Sequence, residues 1–519
     1  MAGLDSAAQD TANVVISGAR RRPIADILQR AARAATGFHK LGVKEGDAIA
    51  LMLRNDFPFF EGTVGAGTLG AFAVPINWHF HKEEAEYILR DSGSKALVVH
   101  ADLLPQIEGG IPESVRVLVV ETPPEIQSAY GVSDAHCRVP AGMEAWDGFV
   151  QDYAPWPDPP KQFRSAMLYT SGTTGHPKGV RRQPMTPEQV VEITQRAHEV
   201  FGIHPGLRTI ITGPMYHATP NFFGLYSLRV GGTIVLQPRF DSEETLALIE
   251  KHRVTAVHLV PTMFVRMLKL PAATREKYDL SSLENVSHGA APCPPEVKRA
   301  MIDWFGPVIT EYYGSTESGV IVAASSTEWL AHPGSVGKPV QGAELAIYDD
   351  DGNPLPTGEV GEIFVRLAAY PEFTYYGKDE KRREIERNGL ITCGDVGYVD
   401  EDGFLYLCDR KKDMVISGGV NIYPAEIEAV LHGVPGVHDC AVFGIPDEEF
   451  GESLAAVIEP ESGARLTATG IQEALREHLA GYKIPKRIDF QTDLPREDSG
   501  KIFKRKLREP YWQQTGRQI

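Results

Sequence analysis

Cysteine is scarce in this chain and is not arranged for a metal or a disulfide framework. The 519 residues include five cysteines without a Cys-x-x-Cys pair, at Cys137, Cys293, Cys393, Cys408 and Cys440. This wide spacing excludes a zinc ribbon and a disulfide-stapled secreted fold. We therefore expect reduced thiols in a cytoplasmic protein.

Long apolar runs and an excess of basic charge are also missing. No stretch approaches the length of a membrane span, and the N-terminal MAGLDSAAQDTANVV carries acids in place of the apolar core of a signal peptide. We expect no transmembrane segment. With 52 Lys and Arg against 69 Asp and Glu, the net charge of -17 repels a phosphate backbone, which excludes nucleic acid as a partner.

What the chain does have is length and a repeated alternation of strand-like and helix-like segments. At 519 residues it is too long for one hydrophobic core, so two or more domains are expected. Short runs rich in Val and Ile predict βαβ units with parallel sheets, and hence the α/β class. These runs are DAIALML, AFAVPI, KALVVH, VRVLVV, TIITG, TIVLQ, AVHLV and ENVSHG.

The pattern of predicted secondary structure changes in the last third of the sequence. Beyond Asp351, short strand-like runs are joined by Asp-Gly turns, and a basic stretch, DRKKD, precedes a compact final segment. We place the domain boundary at Lys412, which divides the chain into residues 1–411 and residues 412–519.

A loop rich in Gly, Ser and Thr reads YTSGTTGHPKGV over Tyr169–Val180. Its glycines let the backbone approach an anion, its successive N–H groups can form a nest, and Lys178 adds a point charge. No Gly-Lys-Ser/Thr ends the loop, so it is not the common triphosphate loop. Its ordered Pro-Lys-Gly ending nevertheless favours phosphate binding over a flexible surface loop.

A second constellation reads YYGSTESG over Tyr312–Gly319. It combines aromatic faces for a purine with hydroxyl groups and with the carboxylate of Glu317, which suits Mg2+ beside phosphate oxygens. Taken alone, the segment leaves a capped turn before the strand-like GVIVAAS as an equal alternative.

Two further segments carry polar groups near the C-terminus. In TCGDVGYVDEDGFLYLCDRKKDMVISGGVNIYPAEIE, Asp395 can accept ribose hydroxyls and Arg410 can donate to ribose or phosphate. Gly418 and Gly419 let a thin ligand pass close to the backbone. In LPREDSGKIFKRKL, Lys501 can neutralise phosphate charge from a mobile terminal element. Each segment taken alone also has a structural explanation. Asp395 or Arg410 could form a surface salt bridge, the two glycines could form a turn, and Lys501 could belong to a solvated basic tail.

Together the four segments resemble the acyl-adenylate-forming superfamily, which groups acyl-CoA synthetases, nonribosomal peptide adenylation domains and beetle luciferases. YTSGTTGHPKG, YYGSTE, CGD, DRKKDMVISGGVNIYPAEIE and the late Gly-Lys occur in the family's order, and the resemblance covers nearly the whole chain. It implies a large N-terminal domain of parallel-type sheets flanked by helices with a small β-barrel-like part, followed by a small mobile α+β domain. The implied activity is acyl-adenylate formation from ATP with Mg2+, and transfer of the acyl group to coenzyme A.

The resemblance also implies a role for individual residues. Those implied for ATP binding are Thr170, Ser171, Gly172, Thr173, Thr174, Lys178, Gly289, Ala290, Ala291, Tyr312, Tyr313, Gly314, Ser315, Thr316, Asp395 and Arg410. Those implied for catalysis are Lys501, His217, Glu317 and Thr316. Within these sets Glu317 would hold Mg2+, and Lys501 would bridge the carboxylate and the phosphoryl group. Lys412 matches the family's hinge, about which the C-terminal domain swings.

The acyl and coenzyme A sites are implied in the same way. Acyl-pocket residues are Asn221, Phe222, Val260, Met263 and His288, with His217 as a gate to the pocket. The coenzyme A path is implied for Ser417, Gly418, Gly419 and Lys483. The polar Asn221 and His288 favour a bulky ring-containing or oxygenated acid, while a medium-chain or long-chain acid stays open. Structural packing is an alternative for His217, Asn221 and His288.

Rival functions can be weighed on particular residues. One rival is a dinucleotide-binding oxidoreductase, because GAGTLG, residues 65–70, satisfies Gly-x-Gly-x-x-Gly. The motif runs straight into the strand-like AFAVPI, which leaves no room for the helix that would meet a dinucleotide. Close helix packing therefore explains its glycines better.

An amide-forming ligase with an amine or amino acid as acceptor shares the adenylation residues and stays the alternative, since Phe450 stands where the family often has Trp. A homodimer also stays open.

Overall fold

The computed structural model describes residues 13–162, 164–170, 177–411, 413–417, 420–447, 450–496 and 502–512. Its helices are α1 (Ile24–Lys40), α2 (Phe57–Thr68), α3 (Lys82–Asp91), α4 (Pro124–Tyr130), α5 (Trp146–Gln151), α6 (Pro187–Phe201), α7 (Ala218–Val230), α8 (Ser242–His252), α9 (Pro261–Leu268), α10 (Ala272–Arg275), α11 (Pro295–Phe305), α12 (Ser326–Ala331), α13 (Asp379–Glu384), α14 (Pro424–His432), α15 (Ala468–Arg476) and α16 (Lys504–Trp512). Short 3-10 helices span Ala101–Ile107, Asp134–His136 and Gly481–Lys483.

The strands of the N-terminal part are β1 (Val14–Ser17), β2 (Arg20–Pro23), β3 (Ala48–Met52), β4 (Phe72–Pro75), β5 (Ser94–His100), β6 (Arg116–Val120), β7 (Glu144–Ala145), β8 (Leu168–Thr170), β9 (Lys178–Arg182), β10 (Leu207–Ile211), β11 (Gly232–Leu236), β12 (Ala256–Leu259), β13 (Asn285–His288), β14 (Ile309–Ser315), β15 (Gly319–Ser325), β16 (Lys338–Pro339), β17 (Ala343–Tyr348), β18 (Gly361–Leu367), β19 (Phe373–Tyr375), β20 (Glu386–Arg387), β21 (Leu390–Val399) and β22 (Leu405–Arg410). Those of the C-terminal part are β23 (Val415–Ser417), β24 (Val420–Ile422), β25 (Val437–Asp447), β26 (Gly451–Pro460) and β27 (Arg487–Phe490). All eight Val- and Ile-rich runs named above are therefore strands.

The largest sheet carries the candidate site along one edge. Its nine strands run in the order β16-β15-β14-β13-β12-β10-β11-β1-β2. The strands from β14 to β1 pair in parallel, whereas β15 returns antiparallel to β14. Every residue of β11 is buried, as expected for a parallel strand covered by helices on both faces. Because parallel strands share one carboxyl edge, the loops after β10 to β13 meet there.

Helices on the two faces of this sheet form separate hydrophobic clusters. Helices α6 and α7 supply Phe201 and Phe223 to one cluster, which also contains Tyr312. Helices α9 and α11 supply Phe264 and Met301 to the other. A side chain at the carboxyl edge therefore faces one cluster or the other according to its place in the strand's alternation.

A second parallel sheet, in the order β4-β3-β5-β6-β7, packs beside α1 and α2. Helix α2 contains the first glycines of GAGTLG. A Cβ atom on Gly65 would lie 2.9 Å from the carbonyl oxygen of Ala31 in α1, so the missing side chain lets the two helices touch. The prediction of close helix packing at this motif is confirmed, and a dinucleotide loop is excluded.

Antiparallel strands form the small barrel-like part. One sheet runs β17-β18-β21-β20, with β22 pairing β21, and a three-stranded sheet runs β19-β9-β8. These sheets bring residues near positions 170, 375, 395 and 410 toward the carboxyl edge of the large sheet.

The C-terminal part has its own sheet and core. Its strands run β24-β23-β26-β25, with β27 parallel to β26, and Ile427, Leu431 and Ile458 lie in its hydrophobic cluster. It touches the N-terminal part where the Lys269 ammonium lies 2.7 Å from Nδ1 of His438. The expected α/β architecture is confirmed. Lys412 lies outside the described residues, so the boundary at that position stays a prediction.

Two further expectations concern the whole chain. No helix in the described part of the chain is long and apolar enough to cross a membrane. Each of the five cysteines belongs to the described residues and is free.

Candidate functional site

The predicted phosphate loop lies between the two strands of a β-hairpin in the barrel-like part. Strands β8 and β9 pair antiparallel, and Thr170 and Lys178 are direct partners at the end of the ladder. Their pairing brings the two ends of the predicted loop together. Ser171, Gly172, Thr173 and Thr174, which make up its tip, lie outside the described residues.

Glu317 joins three segments that are distant in sequence. Its Oε1 atom accepts a hydrogen bond from the Thr170 hydroxyl at 3.1 Å and another from the Tyr375 hydroxyl at 3.1 Å. The other carboxylate oxygen, Oε2, has no hydrogen bond to a described residue. Two neutral donors therefore orient the carboxylate without neutralising it, and oxygen of this kind is the ligand that Mg2+ prefers.

A buried arginine holds the turn that carries Thr316 and Glu317. Arg182, only 5% exposed, donates to the carbonyl oxygens of Thr316 at 2.7 Å and Glu317 at 2.6 Å. Its guanidinium carbon lies 4.8 Å from the Tyr370 ring centroid and 5.4 Å from that of Phe373. Arg182 was not predicted from the sequence, because a basic pair at the end of a strand is typical of a solvated surface.

Ser315 has a structural partner for its hydroxyl. The Oγ atom accepts from the backbone N–H of Glu317 at 3.1 Å and of Ser318 at 3.0 Å, and from the Cys393 thiol at 2.9 Å. These hydrogen bonds stabilise the turn around Glu317, so the Ser315 hydroxyl is used within the fold. Burial raises the pKa of Cys393, so its thiol stays protonated and can donate.

The predicted adenine segments lie side by side at the ends of β13 and β14. A Cβ on Gly289 would sit 2.6 Å from the carbonyl oxygen of Tyr312, so a glycine is needed there. Ala290 follows with a φ of 68°, a left-handed conformation that costs a non-glycine residue about 1–3 kcal/mol. Ala291 is half-buried beside it. Strain of this kind in a loop commonly accompanies ligand binding.

Tyr312 turns into the protein core. Its hydroxyl donates to Oγ1 of Thr219 at 2.8 Å and lies 3.0 Å from Nε2 of His258. Burial lowers the pKa of His258 to about 3, so the imidazole is neutral, and its Nε2–H donates to the Tyr312 oxygen, whose own proton goes to Thr219. The ring of Tyr312 therefore anchors β14 to α7 and β12.

Asp395 and Arg410 face each other across β21 and β22, as cross-strand partners. Their Oδ1 and Nε atoms are 3.4 Å apart, and Arg410 is 43% exposed against 17% for Asp395. The Tyr313 hydroxyl donates to Oδ2 of Asp395 at 2.8 Å. Burial and the Asp395 charge raise the pKa of Tyr313 well above its usual value. The predicted ribose pair is thus assembled next to a predicted adenine residue.

The positive charge of Lys178 lies beside this carboxylate cluster. Its ammonium is 5.1 Å from the ring centroid of Tyr375, the same tyrosine that donates to Glu317. Burial, together with the ammonium of Lys381, lowers the pKa of Lys178. An anion nearby would raise the pKa of Lys178 again, which suits a phosphate ligand.

The acyl-pocket residues do not form one group. His217 directly precedes α7, and the centroid of its ring lies 4.3 Å from that of Tyr216. Phe222 on the same helix stacks on Tyr226 at 4.3 Å. The Asn221 amide is used within the fold, since Nδ2 donates to the carbonyl oxygen of Met215 at 3.0 Å.

Val260 and Met263 lie in the cluster on the opposite face of the sheet. His288 faces the same cluster, because its cross-strand partner Leu259 belongs to it. The fully buried His288 ring packs 5.0 Å from that of Phe264, and Nε2 lies 3.9 Å from Glu311, which pairs with Lys298. Burial and the Lys298 charge lower the pKa of His288 well below its usual value. The structure does not bring His288 together with Asn221 and Phe222.

The coenzyme A path and the hinge are described only in part. Ser417 ends β23, and Lys483 forms an ion pair with Glu426 at 2.6 Å. Gly418, Gly419, Lys412 and Lys501 lie outside the described residues, so their roles stay predictions.

Comparison with known proteins agrees with this geometry along the whole chain. Residues 5–369 match the model of the AMP-binding enzymes, and residues 426–501 match the AMP-binding enzyme C-terminal domain. A feruloyl-CoA synthase of Amycolatopsis sp is 34% identical over 505 residues, which cover 96% of this chain and 95% of that protein. The long-chain-fatty-acid–CoA ligase FadD13 of Mycobacterium tuberculosis is 32% identical over 483 residues, 92% of this chain and 91% of FadD13.

Solved structures give the same result. The crystal structure of ATP-bound MatB from Rhodopseudomonas palustris superposes with a TM-score of 0.82 at 26% identity, covering 97% of this chain and 96% of MatB. The fold and site define an ATP-binding, adenylate-forming ligase. The chain belongs to the AMP-binding enzyme family, in its acyl-CoA synthetase branch.

Proposed function

We propose that this enzyme condenses a carboxylic acid with ATP to an acyl-adenylate and then transfers the acyl group to coenzyme A. One observation carries the proposal: the carboxylate of Glu317 is held by the hydroxyls of Thr170, at the start of the predicted phosphate loop, and of Tyr375, on β19 of the same three-stranded sheet. A carboxylate oriented by neutral donors, beside the cation of Lys178, is suited to a metal-bound phosphate chain.

In the first step the substrate carboxylate attacks the α-phosphorus. A carboxyl O–P bond forms, the bond from the α-phosphorus to the bridging oxygen breaks, and pyrophosphate leaves with both electrons of that bond. Lys178 neutralises charge on the phosphates, while Asp395 and Arg410 hold the ribose. Mg2+ held at Glu317 would supply further neutralisation of the phosphate oxygens. No covalent enzyme group is needed, because positioning and charge stabilisation suffice for such a displacement.

In the second step the thiol of coenzyme A attacks the acyl carbonyl. A C–S bond forms, the C–O bond of the mixed anhydride breaks, AMP leaves, and the thiol proton passes to solvent. We assign the bridging role in the first step to Lys501, which the hinge at Lys412 then moves away. This order lets two reactions use one pocket.

For the acid we favour a ring-containing substrate entering past His217 along α7. Phe222 stacks on Tyr226 at that helix and contacts Phe201 at 5.6 Å between ring centroids, which suits a flat apolar ring. The name of one relative specifies a feruloyl group, and that of another a long-chain fatty acid. The amide of Asn221 is engaged by the backbone, so its polarity does not by itself require an oxygenated acid.

The test is AMP release with linear, aromatic and polycyclic acids, each with coenzyme A, with an amine mixture, and without acceptor. Turnover that requires coenzyme A, with aromatic or polycyclic acids preferred, supports the proposal in full. Preference for linear acids would overturn the substrate class alone. Formation of an amide without coenzyme A would show that the acceptor is an amine. Absence of AMP with every acid would overturn adenylation itself.

A further inference from the structure

The predicted phosphate loop contacts helix α3, which takes no part in the chemistry described so far. Tyr169 directly precedes Thr170 in β8. Pro177 directly precedes Lys178 of β9, so Tyr169 and Pro177 mark the base of the loop. Side chains of α3, which ends at Asp91, reach both of them. The helix leads into β5 of the second parallel sheet, so the contact joins that sheet to the candidate site.

The first end of the loop is held through Asp91. Its Oδ2 atom accepts a hydrogen bond from the Tyr169 hydroxyl at 2.8 Å. Burial, together with the Asp91 charge, raises the pKa of Tyr169, so the phenol stays protonated and donates. The ring of Tyr169 also covers its cross-strand partner, because a Cβ on Gly179 would lie 2.9 Å from the ring carbon Cζ. Tyr169 is therefore fixed at its hydroxyl by α3 and at its ring by β9.

The second end is held through Tyr87, four residues before Asp91 in α3. Its hydroxyl donates to the carbonyl oxygen of Pro177 at 3.0 Å and lies 3.3 Å from Oδ1 of Asp91. The Lys378 ammonium donates to the same hydroxyl oxygen at 2.8 Å and lies 3.7 Å from Oδ1 of Asp91. The hydrogen bond to Tyr87 and the Asp91 charge raise the pKa of Lys378, so its ammonium stays charged. One cluster of Tyr87, Asp91 and Lys378 therefore contacts both ends of the loop.

The cluster also reaches the carboxylate of Glu317 through the backbone. The N–H of Lys378 donates to the carbonyl oxygen of Tyr375 at 2.8 Å, and the Tyr375 hydroxyl donates to Glu317 at 3.1 Å. The N–H of the neighbouring Tyr376 donates to the carbonyl oxygen of Gly179 at 2.9 Å. Because each of these links is a direct hydrogen bond, a shift of Lys378 or of α3 would change the placement of the two loop ends relative to Glu317.

The position of Asp91 is unfavourable for a carboxylate taken alone. It is the last residue of α3, where the negative end of the helix dipole repels negative charge. The Tyr169 hydroxyl and the Lys378 ammonium offset this repulsion, and all three groups lie at the base of the loop. Departures from local preference of this kind are expected at functional sites. The placement of Asp91 therefore points to the phosphate loop rather than to the stability of α3.

We infer that Asp91, Tyr87 and Lys378 are positioning residues for ATP, which set the placement of Thr170 and Lys178. The inference rests on the proposed function, since it requires the phosphates of ATP to lie at the loop. The three residues act through the loop ends, not by contact with the reacting atoms. Their loss should therefore weaken binding of ATP and leave the binding of AMP, which lacks the two terminal phosphates, unaffected.

The experiment compares Tyr87→Phe and Asp91→Asn with the matched control Tyr278→Phe. Tyr278 forms the same kind of cluster at the surface, since its hydroxyl donates to Glu243 at 2.8 Å and accepts from Lys277 at 3.0 Å. Calorimetry should show ATP binding weakened about three- to tenfold in Tyr87→Phe and about 10- to 100-fold in Asp91→Asn, as for loss of neutral and charged hydrogen bonds. AMP should bind all three variants as it binds the wild type, and the control should also bind ATP normally.

Turnover and rescue give two further readouts. The KM for ATP should rise in Tyr87→Phe and Asp91→Asn, while the KM for the acid stays unchanged. Thioester formation from a preformed acyl-adenylate and coenzyme A should keep its wild-type rate, because that step no longer involves the terminal phosphates, and this also verifies folding. Lys378→Arg, which keeps the cation, should retain the ATP affinity that Lys378→Met loses.

Two outcomes would overturn the inference. Unchanged ATP affinity in Asp91→Asn would show that the cluster does not position the loop ends. Equal weakening of ATP and AMP, with a lower midpoint of denaturant unfolding, would assign the cluster to the packing of the fold alone. Absence of pyrophosphate exchange in the wild type would instead count against the proposed function, and the binding measurements, which need no catalysis, would still decide the inference.

Discussion

At the scale of single residues, the site depends on carboxylates that hydroxyl groups hold in place. Glu317 accepts from Thr170 and Tyr375, and Asp395 accepts from Tyr313. A hydroxyl donor orients a carboxylate but leaves its negative charge in place. The charge of Glu317 therefore remains for a ligand or cation, whereas Asp395 also has a cationic partner in Arg410, 3.4 Å away.

Removing the charge of Glu317 while keeping its shape tests this arrangement. We expect Glu317→Gln to slow acyl-adenylate formation about 10- to 100-fold, because an interaction with a charged group is lost. Pyrophosphate exchange measured over a range of Mg2+ concentrations should show a higher requirement for the metal. The exposed Glu192→Gln is the matched control, and a normal rate with a normal Mg2+ dependence in Glu317→Gln would exclude the assigned role.

Asp395 should act mainly on nucleotide affinity. We expect Asp395→Asn to raise the KM for ATP about tenfold, since an amide can accept only at one atom where the carboxylate has two. Tyr313→Phe, which removes only the hydroxyl that donates to Asp395, should raise it less, by about threefold. Steady-state kinetics at saturating acid separate the two variants, and an effect on kcat alone would contradict the ribose assignment.

At the scale of the elements, the hairpin of β14 and β15 sets the position of Glu317. The register shifts between Tyr313 and Gly314, and a Cβ on Gly314 would lie 2.0 Å from the carbonyl oxygen of Gly319. Arg182 donates hydrogen bonds to two carbonyl oxygens of the turn that follows β14. The strand pairing leaves room only for glycine at this point.

Gly314→Ala should therefore impair both stability and nucleotide binding. We expect a loss of about 1–3 kcal/mol in the free energy of unfolding from overpacking, together with a higher KM for ATP. Gly148→Ala in α5 is the control, because a Cβ there meets no atom within 4 Å. Denaturant unfolding and ATP kinetics measure the two effects, and a Gly314→Ala variant as stable as the control would show that the hairpin can shift.

The buried imidazole of His258 predicts a pH dependence of stability. Its folded pKa is about 3, against a usual value of 6.5, so the unfolded chain binds a proton that the folded chain rejects between these values. Stability contributed here is complete above pH 6.5 and falls as the pH drops, by up to about 1.4 kcal/mol per pH unit. Relative to wild type, His258→Gln should lose this slope, whereas the exposed His478→Gln should keep it.

At the scale of the whole molecule, the proposed site draws on residues from two parts of the chain, each with its own hydrophobic core. The C-terminal part has its own hydrophobic cluster, separate from those of the N-terminal part. The predicted ribose pair and the predicted phosphate loop belong to the N-terminal part. Lys501 and the glycines predicted for the coenzyme A path follow in the C-terminal part. If the C-terminal part moves between adenylation and thioester formation, it can present a different set of its residues to the same pocket in each step.

Lys501→Ala tests that division. We expect pyrophosphate exchange to fall at least about 100-fold, as for removal of a group that stabilises developing charge. Thioester formation from a preformed acyl-adenylate and coenzyme A should continue near the wild-type rate. The neighbouring Lys504→Ala breaks an ion pair with Glu428 and serves as a structural control. Equal loss of both half-reactions would remove the separation of roles.

Much of the architecture was predictable because it depends on local patterns. Runs such as TIVLQ and AVHLV are long enough in Val and Ile to specify buried parallel strands. The family motifs identified Asp395, Arg410 and Glu317 as candidates, and the first two are cross-strand partners. The rejection of GAGTLG also followed from local order, since no helix could start after it.

The partners of these residues could not be predicted in this way. Arg182 and Tyr375 reach Glu317 and its turn from strands that pair only in the folded barrel-like part. His288 and Asn221 were grouped by motif, yet strand alternation and helix placement put them on opposite faces of one sheet. The order of residues along the chain does not show which face of a sheet a distant helix will cover.

The sequence by itself therefore determined the family, the fold class and the polar groups of the site, because these depend on the order and spacing of residues along the chain. The tertiary structure alone decided that Glu317 is held by two hydroxyls, that His288 is enclosed in the core, and that Arg182 holds the turn of Glu317. Each of these depends on contacts between residues far apart in sequence, and such contacts exist only once the cores have packed.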